Sequence, residues 1–250
     1  MTDPETALGK NAPLLHDEAG TNVLAMREFS QGDAEAEIAT AAIRVGGRFR
    51  FHRKTPVAIE NRACLAEYDK GRRSLTLTLS TQIPGVIRDL LADLLGMPGH
   101  SVRVVAPDVG GGFGGKASVY HEEIVISVLA RHLGRTVRWT GVRLEVLAST
   151  SHGFDEIVDA ELAVDRDGRI VALVAEVIGD VGAYSIYPWT AALEPVQVVS
   201  FMPGPYRVPA YRGRVRAVAT CKTPMGPYRG VDVFDGGFEQ VRGGADHSVL

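Results

Sequence analysis

Residues 102–116 read VRVVAPDVGGGFGGK. Val102–Ala106 is a short apolar run and helical spacing resumes over Val119–Leu133, so a strand hands over to a helix through a loop. Five of the six positions 110–115 are glycine, with Phe113 set among them. Glycine removes the side chain, permits positive φ and lets main-chain N–H groups approach an anion. A helix N-terminus just beyond adds a favourable dipole. Three readings stay open on these residues. Gly110, Gly115 and Lys116 fit GxxxxGK, but Ala117 stands where a phosphate loop needs Ser or Thr. Gly110, Gly112 and Gly115 fit GxGxxG, but no acidic residue follows about 20 positions on. The third reading is a tight turn with no ligand.

Working outward, the period alternates between 2 and 3.6. Ile43–Phe51, Ala63–Tyr68 and Ser74–Ser80 alternate as strands within a β-rich stretch that begins near Ala34. In Ile83–Leu95 the residues Val86, Leu90, Leu91, Leu94 and Leu95 fall on one helical face, and Gly96 stops the helix. Thr136–Trp139 is a further strand. Asp155–Val181 reads as a hairpin around the turn Asp165–Gly168 (DRDG). Tyr211–Cys221 is a strand that runs into the Pro- and Gly-marked loop Lys222–Gly230 (KTPMGPYRG). Strand clusters mixed with strand–loop–helix units predict an α+β, mixed α/β fold. Residues 1–22 are polar and without period, and Val231–Leu250 is Gly- and Asp-rich; these ends are expected as a linker and a disordered tail.

Composition excludes several classes. The 250 residues carry 27 Lys and Arg against 30 Asp and Glu, a formal charge of −3, which rules out a basic nucleic-acid footprint. No apolar run reaches the roughly 18 residues of a membrane span, and the start has no signal core. Two cysteines, Cys64 and Cys221, are too few for a disulfide framework, so a cytoplasmic setting is expected. None of the seven histidines pairs at metal-ligand spacing. His121 with Glu122 and Glu123 opens a helix, where carboxylates are favourable for structural reasons. Ser149–Gly153 (STSHG) reads as a turn, and Trp139 and Trp189 as core or interface residues.

The run APDVGGGFGGKA, the segment VRWTGVRLEVLASTSHG, Arg62–Asp69 (RACLAEYD), Thr81–Pro84 (TQIP) and Thr223–Gly230 (TPMGPYRG) resemble, in order and spacing, the molybdenum-binding large subunit of the xanthine dehydrogenase, aldehyde oxidase and carbon monoxide dehydrogenase family. The resemblance spans roughly residues 11–230. It implies the molybdopterin-binding domain, its first part on 23–230, with 1–22 a remnant of a preceding domain and 231–250 divergent. It implies an enzyme that hydroxylates aldehydes or aromatic heterocycles with oxygen from water. The cofactor is molybdenum held by a pterin, and electrons pass to iron–sulfur clusters and FAD on partner domains or subunits.

Residue by residue, Gln82 resembles the glutamine beside the metal; its ordinary alternative is a cap on the following helix. Gly111, Gly112, Phe113, Gly114 and Gly115 resemble the loop that lies against the cofactor. Arg229 resembles the arginine that orients substrate or stabilises its developing charge; the alternative is pairing with a nearby carboxylate. No protein side chain ligates the metal. Cys221 does not match the copper-binding cysteine of carbon monoxide dehydrogenases, and Ala117 replaces the glutamate that contacts purine. Glu60, Glu67, Glu122 and Glu123 do not match the family's catalytic glutamate. The match stops at Gly230. The chain is therefore expected to be a fragment, inactive alone and prone to expose apolar surface, partnered by the rest of the large subunit and by iron–sulfur and FAD subunits. The contrasting expectation is a truncated remnant without cofactor.

Overall fold

The computed structural model describes residues 1–230. In chain order the elements are α1 (Pro4–Ala7), β1 (Val23–Gln31), α2 (Ala34–Thr40), β2 (Ile43–Phe51), β3 (Ala63–Asp69), β4 (Ser74–Leu79), α3 (Pro84–Leu95), β5 (Val102–Val105), α4 (His121–Leu133), β6 (Val137–Thr140), α5 (Arg143–Ser149), β7 (Glu156–Val164), β8 (Ile170–Gly182), α6 (Leu193–Phe201) and β9 (Ala210–Ala219). They build a five-stranded sheet, β1-β9-β8-β7-β2, and a four-stranded sheet, β5-β4-β3-β6. The mixed α/β expectation holds.

In the small sheet the strict alternation of β4 sends Leu75, Leu77 and Leu79 inward. They meet Ile87, Leu91 and Ala92 of α3 and Ile126 and Ala130 of α4. The buried face of α3 runs through Ile87 and Leu91 rather than Leu94, which is exposed. Pro84 starts that helix and Gly96, at φ +58°, ends it, as proline and glycine do at these positions. Because β4 and β5 are parallel with α3 crossing between them, their carboxyl ends lie together. Gln82 follows one and the glycine loop the other, the place where open α/β sheets hold ligands.

The large sheet repeats this device. The hairpin β7–β8 turns at Asp165, whose carboxylate accepts from the N–H groups of Asp167 and Arg169, both at 2.9 Å. β8 and β9 are parallel, joined through α6, so the loop after β9 also leaves from a carboxyl end. One face is covered by α6, with Val158, Val177, Val199 and Val215 packed together. The other is covered by α2, through Ala34 and Ile38, and by α1, through Ala7.

Several local readings are corrected. The polar stretch 1–22 is not a free linker: Ala7 packs on Ile157, Ile178 and Val218, and the N–H of Cys221 donates to the Met1 carbonyl at 2.8 Å. Residues 34–40 are a helix, because Asp33 caps it by accepting from the Ala36 N–H at 3.1 Å and Ala and Glu favour it. The strand β1 was hidden by its exposed pattern, and α5 and α6 by their short length. The expected divergent segment Val231–Leu250 lies outside the described residues.

The edge strand β2 is exposed along its whole length. Its alternate residues Ile43, Val45, Phe49 and Phe51 leave about half of each side chain open. With Val198, Phe201 and Met202 the two phenylalanines border an apolar cavity of about 340 Å³.

Candidate functional site

The glycine loop is built against three other segments. Gly115 presses on Pro56, where an added Cβ would lie 2.8 Å from the ring, and on Thr150. Its carbonyl accepts from the Tyr120 hydroxyl at 2.6 Å. Gly114, at φ +94°, leaves no room for a Cβ beside the Pro227 carbonyl. The N–H of Arg229 donates to the Phe113 carbonyl at 3.0 Å. The glycine loop and the segment Thr223–Gly230, distant in the chain, thus form one surface.

Gln82 is tied to the same surface. Its Oε1 accepts from the N–H groups of Gly114 at 3.0 Å and Lys116 at 3.3 Å. Its own N–H donates to the Lys116 carbonyl at 2.8 Å. The side chain therefore braces the loop, and α3 begins without a side-chain cap, which corrects the helix-cap alternative. With Oε1 fixed by two donors, the two donors of Nε2 have no acceptor among the described residues. A Cβ on Gly112 would collide with this amide, so glycine there lets Gln82 lie flat on the loop.

The main-chain donors fall into two groups. The N–H groups of Gly110, Gly111, Gly114, Gly115 and Lys116 all have acceptors inside the protein. Those of Gly112 and Phe113 have none among the described residues. They are consecutive and flanked by left-handed backbone at Gly111 and Gly114, both at φ +94°, with Phe113 itself at +51°, and successive main-chain donors in such a turn can form a concave anion site. The Phe113 ring is half exposed beside them. Arg229 is exposed, and it forms no ion pair among the described residues.

Lys116 is the residue a phosphate-loop reading needs free. Instead its side chain is 3% exposed and pairs with Glu60 at 2.6 Å. Glu60 also accepts from Ser80 at 2.6 Å and the Gly110 N–H at 2.8 Å. Burial pushes the Glu60 carboxyl up, but the Lys116, Ser80 and Gly110 bonds outweigh it and hold it below the usual range. The phosphate-loop reading loses its lysine to this structural pair.

Residues to which the sequence assigns no part in the site carry much of its support. Arg62 is buried, stacks over the Tyr120 ring at 3.8 Å and bonds Ser149 at 2.8 Å, Thr150 at 3.1 Å and Glu122 at 3.2 Å. Glu123 caps α4 through the Tyr120 N–H at 3.2 Å, and burial pushes its carboxyl up to about 8. The Trp189 indole donates to the Ala117 carbonyl at 2.6 Å. The segment expected as a turn, Ser149–Gly153, instead straps the loops together: the N–H of His152 donates to Pro224 at 3.0 Å and that of Gly226 to His152 at 2.8 Å. No spacing rule reports such long-range partners.

The fold is a two-sheet α/β domain in which the glycine loop, Gln82 and the main chain of Arg229 are hydrogen-bonded together, with the N–H groups of Gly112 and Phe113 lacking an acceptor among the described residues. Residues 15–238 match the molybdopterin cofactor-binding domain. The chain is 33% identical over 232 residues to the nicotine 6-hydroxylase large subunit of Paenarthrobacter nicotinovorans, covering 92% of this chain and 28% of that one. It is 32% identical to the carbon monoxide dehydrogenase large chain of Hydrogenophaga pseudoflava, covering 90% and 30%. Among solved structures, quinoline 2-oxidoreductase from Pseudomonas putida 86 superposes with a TM-score of 0.87 at 36% identity, covering 92% of this chain and 29% of that one. The chain belongs to the molybdopterin cofactor-binding domain family of molybdenum hydroxylase large subunits, and it spans under a third of the length of these relatives.

Proposed function

We propose that residues 23–230, with 1–22 packed on their large sheet, form the first part of the molybdopterin-binding domain of an oxidoreductase that hydroxylates aldehydes or aromatic heterocycles with water. The observation that carries this reading is the junction of Phe113 and Arg229, with the free N–H groups of Gly112 and Phe113 beside it. Gly111–Gly115 supply a cradle that side chains would fill. In this reading Gly112 and Phe113 donate to oxygens of the molybdenum–pterin group. Gln82 Nε2 adds a neutral donor, which orients an oxygen without changing the local charge. When bound, the group supplies oxygen transfer from water and takes up the electron pair. Arg229 stabilises negative charge that develops on the substrate, and Phe113 walls off water. Electrons would leave through iron–sulfur and FAD partners.

The residues also bear on substrate. Loop 222–230 holds no cysteine, and Cys221 lies beside the N-terminal ammonium, 3.6 Å away. This favours a hydroxylase over a copper-dependent carbon monoxide oxidase. Ala117 is buried and offers nothing to a purine.

The test uses the full-length large subunit to which the chain is proposed to belong. Molybdenum content is read by mass spectrometry and turnover with aldehydes and N-heterocycles. Arg229→Ala should retain metal and lower kcat/KM by roughly 10²–10³-fold. Full turnover by that variant, or a metal-free wild-type subunit, would overturn the proposal; the latter would favour the cofactor-free remnant.

A further inference from the structure

Two adjacent residues other than glycine have left-handed backbone: Phe154 at φ +63° and Asp155 at φ +88°. Such a conformation is strained for a residue with a side chain and persists only where the surroundings impose it. Here they do. The Phe154 N–H donates to the buried Glu194 carboxylate at 3.0 Å. Asp155 Oδ2 bonds Arg53 Nε and Lys222 Nζ, each at 2.8 Å. Lys222 also pairs with Asp180 at 2.7 Å, Arg53 donates to the Asp180 carbonyl at 2.7 Å, and Thr220 bonds Asp180 at 2.6 Å. Two bases and two acids balance in a space where an unpaired charge is costly.

The reversed backbone aims the Phe154 ring at Tyr228, edge-on with centroids 5.4 Å apart. It also brings Gly153 so close to the Tyr228 side chain that a Cβ would collide. Tyr228 directly precedes Arg229, and Lys222 opens the same loop. Arg53 donates to the Thr223 carbonyl as well. The loop is thus gripped at its start by charge and near its end by an aromatic edge.

We infer that Phe154 and Asp155 are positioning residues for Arg229: their left-handed backbone, held by Arg53, Lys222 and Glu194, seats the 222–229 loop so that the arginine meets Phe113. The inference rests on the proposed role of Arg229 for its purpose, but the clamp itself is a property of this chain. Their contacts reach Arg229 through the loop, at Lys222 and Tyr228.

Amide hydrogen exchange on the chain, with no cofactor present, tests the clamp apart from the cofactor reading. Asp155→Asn combined with Lys222→Met removes one acid and one base, keeps the charge balance and cuts the tether. The amides of Gly226 and Arg229, which donate across to His152 and Phe113, should exchange at least tenfold faster, with β4 amides changed less than twofold. Phe154→Leu keeps the apolar volume, loses the ring edge and should give a smaller rise confined to the same amides; it serves if the double variant does not fold. Equal acceleration in both sheets, or none at Arg229, overturns the inference. A selective rise alongside a metal-free complete subunit would sustain the clamp and sink only the cofactor reading.

Discussion

The main-chain N–H of Arg229 donates to the carbonyl of Phe113 at 3.0 Å, so the last described loop is hydrogen-bonded to the middle of the glycine run. Both loops leave the carboxyl ends of parallel strand pairs, one in each sheet. The contact is where the two halves of the fold deliver their functional segments to each other.

Two glycines in that contact should respond differently. Gly114→Ala places a Cβ against the Pro227 carbonyl at φ +94°; backbone cannot yield as a side chain can, so a loss of about 2–4 kcal/mol is expected. Gly112→Ala meets the Gln82 side chain, which can swing away by giving up its two bonds to the loop. The loss should be smaller, about 1–2 kcal/mol, while the Gln82 side-chain resonances shift. Urea titration and NMR of the two variants check the contrast.

Lys116 should behave as a structural lysine. Its ammonium is buried against Glu60, whose side chain is 37% exposed, so solvent screens part of the pair. Lys116→Met should cost about 1–3 kcal/mol, and the wild-type chain should show no Mg²⁺-dependent ATP affinity by calorimetry. Measurable Mg²⁺-dependent binding would return the phosphate-loop reading.

Glu123 should make stability depend on pH. Burial, together with the nearby Glu122, raises its folded pKa to about 8, against the lowering influence of the Tyr120 N–H and Arg62. A carboxyl raised on folding contributes fully below its unfolded value of about 4.5 and loses that contribution as pH rises towards 8. Glu123→Gln keeps an acceptor for the Tyr120 N–H and removes the titration. Its stability should vary less than wild type between pH 5 and 8 by denaturant unfolding.

The open face of β2 should make the isolated chain sticky. Phe49 and Phe51 lie on an edge strand with unpaired main-chain groups, a known route to edge pairing. Phe49→Lys should lower the concentration-dependent self-association seen by sedimentation, with little loss of stability because the ring is half exposed.

The elements legible in the sequence were those with a clean period and a punctuating residue. Ser74–Leu79 alternates, α3 runs from Pro84 to Gly96, and the β7–β8 hairpin turns on Asp165. Those that were not legible lack one or the other. β1 is exposed over most of its length, and α5 is seven residues long. The meeting of Phe113 with Arg229 has no local signature, since nothing in either segment encodes it. The supporting roles of Glu60, Tyr120 and Arg62 are not legible because their partners lie far along the chain, and a buried pair such as Lys116–Glu60 has no sequence signature.

The central claim is that Gly112, Phe113, Gln82 and Arg229 form one wall of a molybdopterin site. The most direct measurement is an anaerobic NMR titration of the ¹⁵N-labelled chain with isolated molybdenum–pterin cofactor. The amide signals of Gly112 and Phe113, the Gln82 side-chain NH₂ and the Arg229 guanidinium should move together and saturate, with Gly47 on the distant edge strand unmoved. Saturating shifts elsewhere in the chain, with these four groups silent, would contradict the account.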